Sequence, residues 1–84
     1  MVRKALILGE LDSSATGANV SETLKKISSI PGVKDAEYIA GPYDVYLVVE
    51  VANQEELSAI VSTLRSIKGI KETMTCLVLP AKKK

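Results

Sequence analysis

Ile27-Ser28-Ser29-Ile30-Pro31-Gly32-Val33-Lys34-Asp35 and Leu64-Arg65-Ser66-Ile67-Lys68-Gly69-Ile70-Lys71-Glu72 are two versions of one pattern. In each, an aliphatic stripe ends, a turn closes on glycine, and a β-branched residue opens an extended run. Glycine just past the last periodic residue is a helix stop, because it accepts the left-handed conformation that leads the chain out of the final turn. Each copy therefore reads as helix end, tight turn, strand start.

Upstream of the first copy, Val20, Leu24 and Ile27 recur at i, i+4, i+7, one stripe of a helix that ends at about Ile30. Asn19 precedes the stripe and Glu22 follows Asn19 by three, the spacing of a reciprocal cap. Upstream of the second copy, Leu57, Ile60, Val61 and Leu64 form a second stripe, and Asn53 with Glu56 repeats the capping spacing. Four extended runs flank these helices. Val2 to Leu11 is apolar on both alternating faces, which suits a central strand. Gly9 inside it marks a bulge, a close backbone approach or simple tolerance of a small residue. Val33 to Ala40 is more polar and fits a sheet edge. Gly41-Pro42 supplies a turn, and Asp44 to Val51 alternates Val45, Leu47, Val49 and Val51 against Tyr46, Val48 and Glu50. Glu72 to Leu79 is the last strand, stopped by Pro80, and Asp12 to Ala18 reads as a loop.

Two tandem βαβ halves with right-handed crossovers give a ferredoxin-like βαββαβ fold of the α+β class: a four-stranded antiparallel sheet with two helices on one face. The expected helix-side set is Val45, Leu47, Val49, Met74, Cys76 and Val78, with Cys76 as a small core residue. The open face then carries Leu6, Leu8, Val48, Leu77 and Leu79. Under either parity the open face holds too many large aliphatic groups to leave in water. A second copy of the chain, in a homodimer or larger assembly, is expected to cover it.

The composition agrees with one small domain. Residues 1–80 make the expected domain and 81–84 a basic tail, with Lys82, Lys83 and Lys84 as a solubilising end. An 84-residue chain buries only about two-thirds of its unfolded surface, so its own core is marginal. The formal net charge of +1 provides no field toward nucleic acid or an anionic membrane. One cysteine and no histidine argue against an internal disulfide and a zinc site, and no cofactor is expected. No apolar run approaches a membrane span or a signal peptide, so a cytoplasmic location is expected.

The order of three motifs over Thr23 to Leu79 resembles the effector-binding (RAM) domain of Lrp/AsnC-type transcription regulators. They are Ile30-Pro31-Gly32-Val33; Gly41-Pro42-Tyr43-Asp44 ahead of an apolar strand, similar to the family's Gly-x-Tyr/Phe-Asp; and Gly69 to Leu79, similar to the family's Gly-Val/Ile-x-x-Ser/Thr-x-Thr-x-x-Val-Leu. Family members usually carry a helix-turn-helix domain before this region. Here the first strand begins almost at Met1, so the chain looks like the stand-alone form of the module, with no direct nucleic-acid contact. The Asp12 to Ala18 loop also looks longer than the family's.

The resemblance implies binding of an amino acid or similar metabolite between subunits, coupled to assembly, and pairing with full-length Lrp/AsnC-type regulators. The matching residues have suitable chemistry. Asp44 can accept from an ammonium through charge-assisted hydrogen bonds. The Gly41–Tyr43 backbone can donate to a carboxylate, with Gly41 permitting close approach and Pro42 stiffening the turn. Thr73 and Thr75, two apart, place their hydroxyls on the same side of the last strand. The bland alternatives are an ordinary turn and threonines favoured in strands for their β-branching. Tyr43 either stacks on a ligand or packs at a subunit contact, and packing is preferred.

Other classes fit less well. A ferredoxin-like dimeric enzyme needs a base or metal, and Glu10, Glu37 and Glu50 form no constellation. Base stacking on the open sheet needs more than Tyr38 and Tyr46. A metallochaperone lacks its Cys-x-x-Cys. An ACT-like amino-acid-binding domain is the nearest rival, separated only by the turn and final-strand motifs.

Overall fold

A computed structural model describes residues 3–12 and 18–79. The elements run β1 (Arg3–Leu11), α1 (Ala18–Ser28), β2 (Val33–Tyr38), β3 (Val45–Val51), α2 (Gln54–Arg65) and β4 (Ile70–Leu77). The strands form one antiparallel sheet in the order β2-β3-β1-β4. The apolar runs β1 and β3 are therefore central and the more polar β2 is an edge, as expected. Among the described residues no helix is long and apolar enough to cross a membrane. Positions 13–17 of the expected loop, and the basic tail, lie outside the described residues.

The sequence repeat is also a structural repeat. Gly32 and Gly69 have φ of 97° and 102°, where side chains other than glycine are strained. The first copy bonds Ile30 N–H to Ile27 O (3.2 Å) and Val33 N–H to Ile30 O (3.1 Å). The second bonds Ile67 N–H to Leu64 O (3.1 Å) and Ile70 N–H to Ile67 O (3.2 Å). Two glycine turns of one geometry thus launch β2 and β4.

The caps differ. Asn53 Oδ1 accepts from Glu56 N–H at 2.9 Å, as the spacing predicts. The Glu56 carboxylate accepts from Ala52 N–H (2.8 Å), one residue before the cap. Among the described residues α1 spans Ala18–Ser28, which places position 19 within the helix.

The core lies between sheet and helices. Ala5 and Ile7 of β1 and Val45, Leu47, Val49 and Val51 of β3 form one buried cluster with Ile27, Ile30, Leu57, Ile60 and Leu64. Full burial of one such side chain contributes about 1.5–3 kcal/mol. Gly9 belongs to this layer. A Cβ there would stand 3.0 Å from Val45 Cγ2, so close approach is the reading that holds.

The expected face of β4 is reversed. Ile7 pairs with Thr75, Ala5 with Leu77 and Gly9 with Thr73, which puts those three β4 residues on the helix side. Leu6 pairs with Cys76 and Leu8 with Met74, so these lie on the open face. Val78 extends that register by donating its N–H to Lys4 O at 3.0 Å. Met74, Cys76 and Val78 therefore join Leu6, Leu8, Tyr46 and Val48 on the open face, and Leu77 leaves it. Cys76 is exposed instead of buried. The reason is that only antiparallel register fixes a strand's parity, and β4 carries aliphatic groups at both parities.

Candidate functional site

The Gly41–Asp44 segment connects β2 to β3 at the end of the sheet where the β1–β3 ladder stops, its last pair being Gly9 with Val45. Gly9 O turns toward β3, so Leu11 N–H, two residues on, turns to the same edge past the end of that ladder. The register shift between Glu10 and Leu11 lies on the other edge, where Lys71 of β4 is the extra residue. Asp44 supplies the partner that β3 no longer offers: its Oδ2 accepts from Leu11 N–H at 2.8 Å, and its own N–H donates to Gly9 O at 2.9 Å. Asp44 O also accepts from Ile39 N–H (2.8 Å), closing the turn back onto the end of β2. The expected ammonium acceptor is thus already part of the fold. A carboxylate offers about four lone-pair sites, so this bond does not exhaust it.

Gly41 and Pro42 are exposed, and a Cβ at Gly41 would meet nothing within 4 Å. That open space is what a ligand approaching the backbone requires. Tyr43 is half-buried, and its hydroxyl lies 3.8 Å from Met74 Sδ. This contact joins the turn to the open face, since Met74 is one of that face's exposed side chains.

Thr73 and Thr75 do share a side, and it is the helix side. Thr73, paired with Gly9, is at the same end of the sheet as Asp44. β1 separates the two, which at two interstrand spacings is roughly 10 Å. Thr75 lies about 7 Å farther along β4. It lines a recess of about 410 Å³ with Gln54, Leu57, Ser58, Val61 and Arg65 of α2. The six candidates therefore divide into a turn with Thr73 near it, and Thr75 in a separate recess. Arg65, which no motif singled out, is the charged group of that recess. The signal for it was the spacing of Gln54, Ser58, Val61 and Arg65 along one helix stripe. A second cavity of about 420 Å³, bounded by Ile30, Pro31, Gly32, Val51 and Ile60, lies at the other end of β3.

Polar groups lie on the open face along β2 and at both ends of β1. The Tyr46 hydroxyl donates to Asp35 Oδ2 at 3.0 Å. That bond, with desolvation and the charges of Asp35 and Glu37, holds the phenol above its ordinary range. The middle of β1 and β4 is apolar, and it is flanked by Lys4 opposite Glu50 at one end and Glu10 opposite Glu72 at the other.

Known proteins similar to this chain share its architecture. A protein of Thermus thermophilus superposes with a TM-score of 0.83 at 25% identity, over 98% of this chain and 99% of that one. E. coli AsnC superposes with a TM-score of 0.80 at 24% identity, over 99% of this chain and 54% of its own length. A Neisseria meningitidis transcriptional regulator in complex with L-methionine gives 0.82 at 19% identity, over 98% and 53%. Among curated sequences, homocitrate synthases of Sulfolobus acidocaldarius and Sulfurisphaera tokodaii are 36% and 42% identical over 89% and 66% of this chain. The chain spans only 15% and 12% of those enzymes. The sequence family described as the Lrp/AsnC ligand binding domain matches residues 6–84, and with β-α-β-β-α-β order and the Gly-Pro-Tyr-Asp turn in place, the chain belongs to that family of ligand-sensing regulatory domains.

Proposed function

We propose that this domain senses an amino acid at the Gly41–Asp44 turn and couples occupancy to self-association through the open sheet face. The observation that carries this is the Tyr43–Met74 contact, which ties the turn to the aliphatic face. A copy covering Leu6, Leu8, Val48, Met74, Cys76 and Val78 would abut Tyr43. A ligand that moves Tyr43 then alters the contact, and association alters the site in return. The ammonium is held by Asp44 and the carboxylate by backbone N–H groups beside Gly41, with Thr73 at the same end of the sheet. The methionine complex of the Neisseria regulator supports a zwitterion as the ligand class. The role is regulatory and not catalytic, and the location is cytoplasmic.

The test is calorimetry with a panel of amino acids on the wild type and on Asp44→Asn, alongside sedimentation with and without the best binder. Binding that survives the substitution unchanged removes Asp44 from the site. A bound ligand that leaves assembly unchanged removes the coupling.

A second reading concerns the partner. The synthase matches are more identical to this chain than are the solved regulators. They support a domain that regulates a metabolic enzyme of that class, where AsnC-type matches support pairing with full-length DNA-binding regulators. Affinity capture with this chain, probed for a synthase and for a helix-turn-helix protein, separates the two.

A further inference from the structure

The recess between α2 and the edge strand β4 has a chemistry unlike that of the turn. Gln54, Ser58, Val61, Ser62 and Arg65 lie on one stripe of α2 facing Thr75. Leu57, buried, and Val61, half-buried, give it an aliphatic floor. Its polar groups are three hydroxyls, one amide and one guanidinium, with no carboxylate in the lining. Among the described residues Arg65 has no ion-pair partner. A cation in the last helical turn complements the helix dipole. The dipole does not account for the recess beside it or for the facing hydroxyl of Thr75.

We infer that the α2–β4 recess binds a small α-keto or related monocarboxylic acid, its carboxylate on Arg65 and its hydrocarbon tail on Leu57 and Val61. A guanidinium presents paired donors in the geometry a carboxylate accepts. The hydroxyls of Ser58, Ser62 and Thr75 can donate to a keto oxygen. An α-amino acid is disfavoured, because its ammonium finds no carboxylate in the lining. The volume of about 410 Å³ is at the lower end for ligand sites, which suits a metabolite. The site is separate from the Asp44 turn and does not depend on it.

The experiment is calorimetry of the full chain with α-ketoisocaproate and with leucine, which share a branched tail and differ in the keto and ammonium groups. Wild type, Arg65→Gln, Thr75→Val and Asp44→Asn are compared, with circular dichroism confirming each fold. α-Ketoisocaproate is expected to bind the wild type saturably, to weaken about tenfold or more in Arg65→Gln, to weaken less in Thr75→Val, and to be unaffected by Asp44→Asn. No saturable binding of the keto acid to the wild type, or equal binding to Arg65→Gln, overturns the inference. Leucine binding that needs Asp44 while the keto acid fails to bind leaves the turn reading standing alone. Keto-acid binding that needs Arg65 while leucine ignores Asp44 leaves the recess standing alone.

Discussion

Replacing Asp44 separates its two roles. In Asp44→Ala the Leu11 N–H, past the end of the β1–β3 ladder, loses the carboxylate oxygen now 2.8 Å away. Hydrogen bonds to charged acceptors contribute about 1.5–3 kcal/mol. Leu11 and Asp44 are half-buried, so water recovers part of the bond, and the expected loss is about 1–2 kcal/mol. For a domain of this size 1 kcal/mol moves Tm by about 4–8 °C, so Asp44→Ala should melt about 5–15 °C below wild type. Asp44→Asn keeps a carbonyl oxygen where Oδ2 stands and should recover most of that difference. It loses the charge an ammonium requires. The assay is thermal denaturation of all three proteins at one fixed concentration, because assembly makes Tm concentration-dependent. An Asp44→Ala variant as stable as wild type refutes the claim that Asp44 completes the β1–β3 edge. An Asp44→Asn variant as unstable as Asp44→Ala refutes the claim that an oxygen acceptor is what matters.

Gly32→Ala is expected to lower stability in chemical denaturation by more than the about 1–2 kcal/mol that positive φ costs an alanine, because the added Cβ would also meet Ile60 Cδ1 at 2.9 Å. A loss no larger than that range would show that Ile60 yields freely. Tyr46 should ionise later than an ordinary tyrosine, and Asp35→Asn should return it toward the usual range without moving Tyr38, which is raised chiefly by its own burial. Because the folded pKa of Tyr46 lies above the unfolded one, the associated stabilisation is present below about pH 10 and is lost as pH rises through the folded value. Phenolate absorbance of wild type and variant, followed with alkali, checks this, and identical titrations would contradict it.

Much of the fold is legible in the chain because its signals are local. The aliphatic stripes Leu57–Leu64 and Val20–Ile27, the two glycine turns and the polar character of β2 each report on a few adjacent residues. What failed depends on distant partners. The parity of β4 is set by pairing with β1, more than sixty residues earlier, and aliphatic groups at Met74, Cys76, Leu77 and Val78 leave either parity plausible from sequence. Asp44 reads as a ligand group from its motif, yet its bond to Leu11 spans 33 positions and forms where the β1–β3 ladder has ended. Thr73 and Thr75 share one side by their spacing alone, and which side depends on the β1–β4 register. Arg65 stood out in no motif and gained meaning only when α2 was laid beside β4.

Coupling between ligand and assembly requires that the apolar middle of the open sheet face be covered by a second copy. Sedimentation equilibrium of the wild type and of Val48→Lys at micromolar concentration tests it most directly. A dimer or larger assembly is expected for the wild type and a folded monomer for Val48→Lys, whose ammonium would sit at the centre of the contact. A wild type that sediments as a monomer throughout, or a Val48→Lys variant that associates as tightly as wild type, would contradict it.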